Sequence, residues 1–183
     1  MAKLPKQYQF LDLSDYGRTA GNWIASQLKS TRATPIHVTS LFIVSGLVAI
    51  GCMLNDHYKT AAFFIILKSV LDAADGELSR LKNTPSYTGR YYDSIADFVL
   101  NFCFLLAFWY ITKISILYML IAFFAIQLQG TVYNYYYVIL RNSVHGDSTS
   151  RIFEDAAPKA LKGESQRTVN IFYKIYDILY ITF

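Results

Sequence analysis

Long apolar runs separated by short polar stretches dominate the chain after its first 35 residues. The runs at 36–54, 91–111 and 115–140 can each cross a bilayer core of about 30 Å as a helix that rises about 1.5 Å per residue. A further run, at 60–71, reaches that length only with a polar helical extension through Arg80. The pattern therefore predicts an all-α integral membrane protein built as a bundle of transmembrane helices.

The segment 1–35 has a different pattern and predicts a cytoplasmic arm. Between residues 8 and 30, apolar side chains such as Tyr16 and Ala20 recur every three or four positions, whereas charged side chains such as Arg18 fall off that stripe. This periodicity is typical of an amphipathic helix that lies in the membrane interface. We therefore expect an interfacial helix before the first span.

The end of the chain predicts an incomplete span. Residues 141–170 form a charged connection, and the sequence becomes apolar again from Ile171. The segment from there to Phe183 is too short to cross a bilayer. We therefore expect residues 36–183 to form one transmembrane catalytic domain that is truncated within a fifth helix.

Composition and charge fit this class. The chain is 54% hydrophobic and 16% charged, whereas soluble domains are about 45–50% apolar and about 25% charged. Basic residues concentrate in the N-terminal arm, at 80–90 and after residue 140, and the opposite turns carry only Lys59 and Lys113. By the positive-inside rule, we expect the N-terminal arm, the segment at 80–90 and the connection after residue 140 to be cytoplasmic. The basic surplus suits anionic lipid, and no basic cluster points to nucleic acid.

The segment 72–97 carries the candidate chemistry. Positions 72, 75, 76, 79 and 80 share a sector of about 140° on one helix, and positions 89, 93 and 97 share a face of the next. A cytoplasmic loop predicted at 81–88 joins the two helices, so carboxylates from both can converge. The residues at these positions are Asp72, Asp75, Gly76, Ser79, Arg80, Gly89, Asp93 and Asp97.

Four carboxylates cannot share a partly buried site as bare anions, because like charges and desolvation both oppose ionisation. Oxygen-only ligands favour hard cations such as magnesium, manganese or calcium, and of these we expect magnesium or manganese. Two metals about 3.5–4 Å apart would clamp a pyrophosphate for an in-line displacement. Gly76 would let a ligand approach the helix, Gly89 would do the same or close the loop, and Arg80 could bind phosphate. Helix capping or surface pairs such as Lys68 with Asp72 account poorly for the whole set.

The same segment resembles the CDP-alcohol phosphotransferase family (CDP-alcohol phosphatidyltransferase class I), whose pattern is D-x2-D-G-x2-A-R-x8/9-G-x3-D-x3-D. Every aspartate, glycine and arginine of that pattern is present, and Ser79 replaces its alanine. Residues 35–39 are similar, more weakly, to the family's Pro-Asn-x-x-Thr, with Ile36 in place of asparagine. The resemblance implies an interfacial helix followed by six spans.

The resemblance also implies a role for each residue. Asp72 and Asp93 would contact both metals, and Asp75 would complete one of them. Asp97 would complete the other metal and act as general base. The residues implied to bind the CDP-alcohol are Thr39, Gly76, Ser79, Arg80, Ser86 and Gly89. The implied reaction belongs to phospholipid biosynthesis: it transfers a substituted phosphate group from a CDP-alcohol to an acceptor alcohol and releases CMP. The resemblance also implies that the protein is a homodimer in the cell inner membrane or its equivalent.

Several functions stay open at this point. We expect CDP-diacylglycerol or a similar CDP-lipid as donor, but the motif recognises only the CDP-pyrophosphate end and therefore also fits a soluble CDP-alcohol. A catalytically silent protein that binds cations or nucleotides is a second alternative. Aspartate-rich prenyltransferases also place paired aspartates on a metal pyrophosphate, but without this register of glycine and arginine. The acceptor alcohol does not follow from the motif.

Overall fold

The computed structural model describes residues 4, 6–8, 16–144, 151 and 153–180, and these residues form helices and connections without a strand. A short 3-10 helix covers Lys6–Tyr8. The α-helices are α1 (Arg18–Leu28), α2 (Pro35–Leu54), α3 (Tyr58–Lys82), α4 (Tyr87–Thr112), α5 (Ile116–Ser143) and α6 (Gln166–Tyr180). The predicted all-α membrane class is confirmed.

Three helices are long and apolar enough to cross a membrane, namely α2, α4 and α5. They coincide with three of the four predicted spans. Helix α3 has 25 residues and hence the necessary length, but the charges of the acidic segment fall within it. Its assignment as a span stays a prediction.

The bounds of the helices follow from their caps. Thr34 caps α2, because its side chain accepts a hydrogen bond from the backbone of His37 while the His37 side chain accepts one from the backbone of Thr34. Helix α3 ends at Asn83, whose φ of 51° is left-handed. Ser86 caps α4. The connection between α3 and α4 is therefore shorter than the predicted loop at 81–88.

Helix α1 packs directly on α3. A Cβ atom built on Gly21 would lie 2.9 Å from Ala73 Cβ and 3.0 Å from the Ala74 nitrogen, so the two backbones almost touch. Ala25 is fully buried against Ala74 in the same contact. Of the predicted amphipathic helix at 8–30, only Arg18–Leu28 forms α1; Tyr8 lies in the 3-10 helix, residues 16–17 and 29–30 form turns, and residues 9–15 lie outside the described residues. Its position in the membrane interface stays a prediction.

Helix α2 lies between α3 and α4 and packs on both. Met53 of α2 meets Ala61 of α3 and Ala107 of α4 in one buried cluster, and Phe42 packs against Leu100 of α4 in another. Both α3 and α4 therefore pack on α2, and they do not pack tightly on each other. Polar side chains of α3 and α4 can therefore meet across the space between them.

Helix α6 covers the other side of α4 through aromatic contacts. The ring centroids of Tyr91 and Tyr176 are 5.0 Å apart, and those of Phe98 and Tyr180 are 5.6 Å apart. Helix α6 begins at Gln166, five residues before the predicted apolar start at 171. Its beginning is polar, which is why hydrophobicity alone placed the start too late.

Candidate active site

Antiparallel α3 and α4 bring the four aspartates to matching depths. Asp75 and Asp93 each lie about 10 Å from the ends of their helices at the α3–α4 connection, at about 1.5 Å per residue. Asp72 and Asp97 each lie one helical turn farther from it, at about 15 Å. The two pairs thus form two layers of carboxylates between the helices.

Three of the four predicted metal ligands come together. Asp72, Asp75 and Asp93 each offer a carboxylate oxygen, and these oxygens lie within 4.8 Å of one another. Asp75 is only 6% exposed, and Thr39 Oγ1 donates a hydrogen bond of 2.5 Å to its Oδ2. Three converging anionic oxygens are the donor set that a hard divalent cation prefers, and without a cation their mutual repulsion is costly. These residues therefore fit magnesium or manganese.

Asp97 is held differently. Its Oδ1 accepts a hydrogen bond from Lys68 Nζ in an ion pair that links α3 to α4. The side chains of Lys68 and Asp97 are 13% and 32% exposed, and the ammonium also lies 5.2 Å from the centre of the Phe42 ring. Asp97 does not belong to the group of converging oxygens. Sequence reasoning considered Lys68 only as a partner of Asp72, one turn along the same helix.

The Arg80 guanidinium lies beside Gly76, the residue that follows Asp75 on α3. A Cβ atom built on Gly76 would have only the Arg80 guanidinium within 4 Å outside its own helix backbone, with Nη1 at 3.5 Å. Glu77 Oε2 accepts hydrogen bonds from Arg80 Nε and Nη2, at 3.1 and 2.8 Å. Glu77 therefore orients the guanidinium, a contact that the motif did not reveal. The absence of a side chain at Gly76 suits a ligand that approaches the helix closely and meets the Arg80 guanidinium.

Two hydroxyl groups predicted to contact the nucleotide have partners within the protein. Ser79 Oγ donates to the Thr84 carbonyl at 3.0 Å, which ties the end of α3 to the connection. Thr39 is buried and donates to Asp75. Both residues border the site, and their contact with a nucleotide stays a prediction.

Ser86 and Gly89 form the start of α4 and meet an acidic residue from the distant connection. The Gly89 amide donates to Ser86 Oγ at 2.8 Å, and Ser86 Oγ donates to Glu164 Oε1 at 2.8 Å. The amides of Tyr87 and Thr88 also donate to Glu164, at 3.2 and 2.7 Å. A Cβ atom on Gly89 would press on Ser86 Oγ at 3.2 Å, so this glycine serves the tight start of the helix.

The Glu164 carboxylate occupies the N-terminal end of α4, where exposed amides favour an anion. Burial by itself would raise the pKa of Glu164. Hydrogen bonds from the backbone of Thr88, the Ser86 hydroxyl and the backbone of Leu161 outweigh burial, and they hold the pKa of this carboxyl below its ordinary value. The side chain is therefore an anion at neutral pH.

A second acidic residue attaches the same connection to α4. Glu154 forms an ion pair with Arg90, and the Tyr91 hydroxyl donates to its Oε2 at 3.0 Å. Farther along, the Tyr180 hydroxyl of α6 donates to the carbonyl of Ser94 at 2.8 Å. These contacts hold the connection and α6 beside Asp93 and the rest of the site. The sequence pattern predicted only that residues 141–170 form a charged connection.

One comparison with known proteins identifies a family. The family model of CDP-alcohol phosphatidyltransferases matches residues 32–157, more than half of the chain and all four aspartates. Neither the search of the curated proteins nor that of the solved structures found a match. The matching family is a class of membrane transferases that transfer phosphate from a CDP-alcohol to an acceptor and use divalent metals. The chain belongs to the CDP-alcohol phosphatidyltransferase family.

Proposed function

We propose that this protein transfers a substituted phosphate group from CDP-diacylglycerol or a similar CDP-lipid to an acceptor alcohol and releases CMP. The observation that carries the proposal is the convergence of Asp72, Asp75 and Asp93 oxygens within 4.8 Å in a chain of this family. The Arg80 guanidinium, which lies beside Gly76 and can bind phosphate, supports it.

The aspartates would hold two divalent metals, magnesium or manganese, with Asp97 as the fourth ligand. Bound there, the metals supply positive charge that neutralises the donor pyrophosphate. The chain contributes the rest of the binding: Gly76 leaves room for the pyrophosphate beside the helix, and Arg80 donates hydrogen bonds to its oxygens. Glu77 holds the Arg80 guanidinium beside Gly76 through two hydrogen bonds.

Asp97 would act as the general base. Its carboxylate accepts the proton of the acceptor hydroxyl, and the acceptor oxygen then forms a bond to the β-phosphorus of the donor. The bond from that phosphorus to the oxygen that bridges it to the α-phosphorus breaks, and CMP leaves with the bridging oxygen. Asp97 is 32% exposed, so an acceptor can reach it.

The depth of the aspartates favours a lipid donor. They lie about 10–15 Å from the ends of helices α3 and α4 at the connection, and apolar side chains of α2 such as Leu41 and Val44 are exposed. A donor whose acyl chains remain in the bilayer can bring its pyrophosphate to this depth without leaving the membrane. We further propose that the site faces the cytoplasm, because the basic segments flank it, and that the protein is a homodimer.

The donor and the metal can be tested by measuring CMP release from the purified full chain in mixed micelles. The assay compares CDP-diacylglycerol with a water-soluble CDP-alcohol across a panel of acceptor alcohols, with magnesium or with chelator. We expect CMP only with the lipid donor, an acceptor and metal together. Turnover of the soluble donor alone would contradict the lipid donor, and turnover in chelator would contradict the metal site. Binding of labelled donor without any CMP would favour the silent alternative.

The base has its own test. Asp97→Asn should lower the rate of CMP release by about 10²–10⁴-fold, the usual contribution of a general base. Asp56→Asn is the control, because Asp56 lies in the turn before α3 and an asparagine tolerates its positive φ of 60°. Near wild-type turnover of Asp97→Asn would remove Asp97 from the mechanism.

A further inference from the structure

A lysine ammonium lies at the inner end of the acidic site. Lys68 precedes Asp72 by one turn on α3, and Asp97 follows Asp93 by one turn on α4. Both residues therefore lie on the side of the site that faces away from the α3–α4 connection. Lys68 Nζ donates to Asp97 Oδ1, and the Phe42 ring lies 5.2 Å from the ammonium.

The ion pair changes the charge balance of the site. A lone carboxylate at this depth in a membrane is costly, and an adjacent ammonium offsets that cost. Asp72 and Asp93 also attract the Lys68 ammonium electrostatically. Three of the four carboxylates thus attract the Lys68 ammonium, and the one that forms the ion pair with it is the one that stays outside the converging group.

We propose that Lys68 is a positioning residue that holds Asp97 apart from the other three aspartates and competes with a divalent cation for its carboxylate. The inference rests on the proposed metal site. The three converging oxygens of Asp72, Asp75 and Asp93 form the position that a first cation fills without disturbing the ion pair. A second cation that uses Asp97 has to displace the Lys68 ammonium, so Lys68 weakens binding at that second position.

Two readings of the ion pair give different results when Lys68 is replaced. If the pair only stabilises the fold, removing the ammonium lowers thermal stability and leaves cation affinity unchanged. If Lys68 competes with a cation, removing the ammonium raises the affinity of the second position. Lys68→Met removes the charge and keeps an unbranched side chain, whereas Lys68→Arg keeps the charge. Lys59→Met is the matched control, because Lys59 is exposed at the start of the same helix.

The experiment is a Mn²⁺ titration of the purified full chain in detergent, followed by electron paramagnetic resonance without nucleotide. We expect Lys68→Met to bind the second Mn²⁺ at least about tenfold more tightly than wild type, since a unit charge within about 4 Å has been removed. Lys68→Arg and Lys59→Met should bind as wild type does. In an Asp97→Asn background, Lys68→Met should have a much smaller effect on the second Mn²⁺, because the carboxylate for which Lys68 competes is gone and only its weaker attraction to Asp72 and Asp93 remains.

The failures of the two proposals are distinguishable. Equal Mn²⁺ affinities for wild type and Lys68→Met would overturn the role of Lys68 and leave the metal site standing. Absence of Mn²⁺ binding by wild type would overturn the metal site and the inference together. If Lys68→Met does not fold, Lys68→Gln, whose amide can still donate to Asp97, replaces it. The second Mn²⁺ should again bind more tightly, and unchanged affinity would again overturn the inference.

Discussion

The close contact of α1 with α3 can be tested by adding one methyl group at Gly21. The new Cβ atom would lie 2.9 Å from Ala73 Cβ, 3.0 Å from the Ala74 nitrogen and 3.1 Å from the Ala73 carbonyl carbon. Two of these atoms are backbone, so no side chain can rotate away and α1 has to shift. Gly51 of α2 provides the control, because its Cβ position has nothing within 4 Å.

The comparison of Gly21→Ala with Gly51→Ala isolates the steric effect. Each replacement gains about 1 kcal/mol of helix propensity, and this gain cancels between the two variants. Overpacking a tight contact costs about 1–3 kcal/mol. We therefore expect the free energy of unfolding of Gly21→Ala to be lower than that of Gly51→Ala by that amount. For a chain of this size, each kcal/mol lowers Tm by about 2–4 °C.

The assay is thermal unfolding of both variants in the same detergent, followed by circular dichroism. Ala73 and Ala74 lie between Asp72 and Asp75 on α3, so a displaced α1 should also lower the rate of CMP release. Equal Tm values for the two variants would refute the packing of α1 on α3 described above. Equal activity with a lower Tm would show that α1 supports the fold without positioning the aspartates.

Three further predictions concern single hydrogen bonds. Thr39→Val should lower the free energy of unfolding, measured in chelator, by about 1.5–3 kcal/mol, because the buried Asp75 carboxylate loses its hydrogen-bond donor. Thr39→Ser keeps a hydroxyl and should retain most of the wild-type stability. Equal Tm values for the two variants would contradict this prediction. The stabilisation by Glu164 is present above its unfolded pKa and is lost as pH falls through its lowered folded pKa. The Tm of Glu164→Gln should therefore decrease less than that of wild type as the pH falls below about 4.3. The same dependence of Tm on pH in both proteins would contradict the stabilisation by Glu164. Ser79→Ala should lower the free energy of unfolding by about 0.5–1.5 kcal/mol, because the bond from its hydroxyl to the Thr84 carbonyl is lost. It should also lower the rate of CMP release, because Ser79 is predicted to contact the nucleotide. Unchanged CMP release would remove Ser79 from the predicted contacts.

Periodicity and length were sufficient to predict most of the fold, because helix formation in apolar runs depends on local sequence. The deviations occur at helix ends. The connection between α3 and α4 is shorter than predicted because Asn83 and Ser86 cap the two helices within a few residues of each other. Helix α6 begins early, at Gln166, with polar residues that a hydrophobicity pattern does not recognise.

The convergence of Asp72, Asp75 and Asp93 was also predictable, because spacings of three and four place side chains on one helix face. The residues that form hydrogen bonds with the site from distant parts of the chain were not predictable. Lys68 and Asp97 are 29 residues apart, and Ser86 and Glu164 are 78 residues apart. Such pairs depend on how helices and connections pack in three dimensions, and a single sequence carries no local signal for them.

The central claim is that the carboxylates between α3 and α4 carry out phosphotransfer. Its most direct test is the rate of CMP release from CDP-diacylglycerol by Asp93→Asn, measured beside wild type and the Asp56→Asn control. We predict that Asp93→Asn loses more than about 100-fold in rate, because even residues that only support metal ligands cost about 10–100-fold, while Asp56→Asn keeps the wild-type rate. Wild-type CMP release by Asp93→Asn would contradict the account.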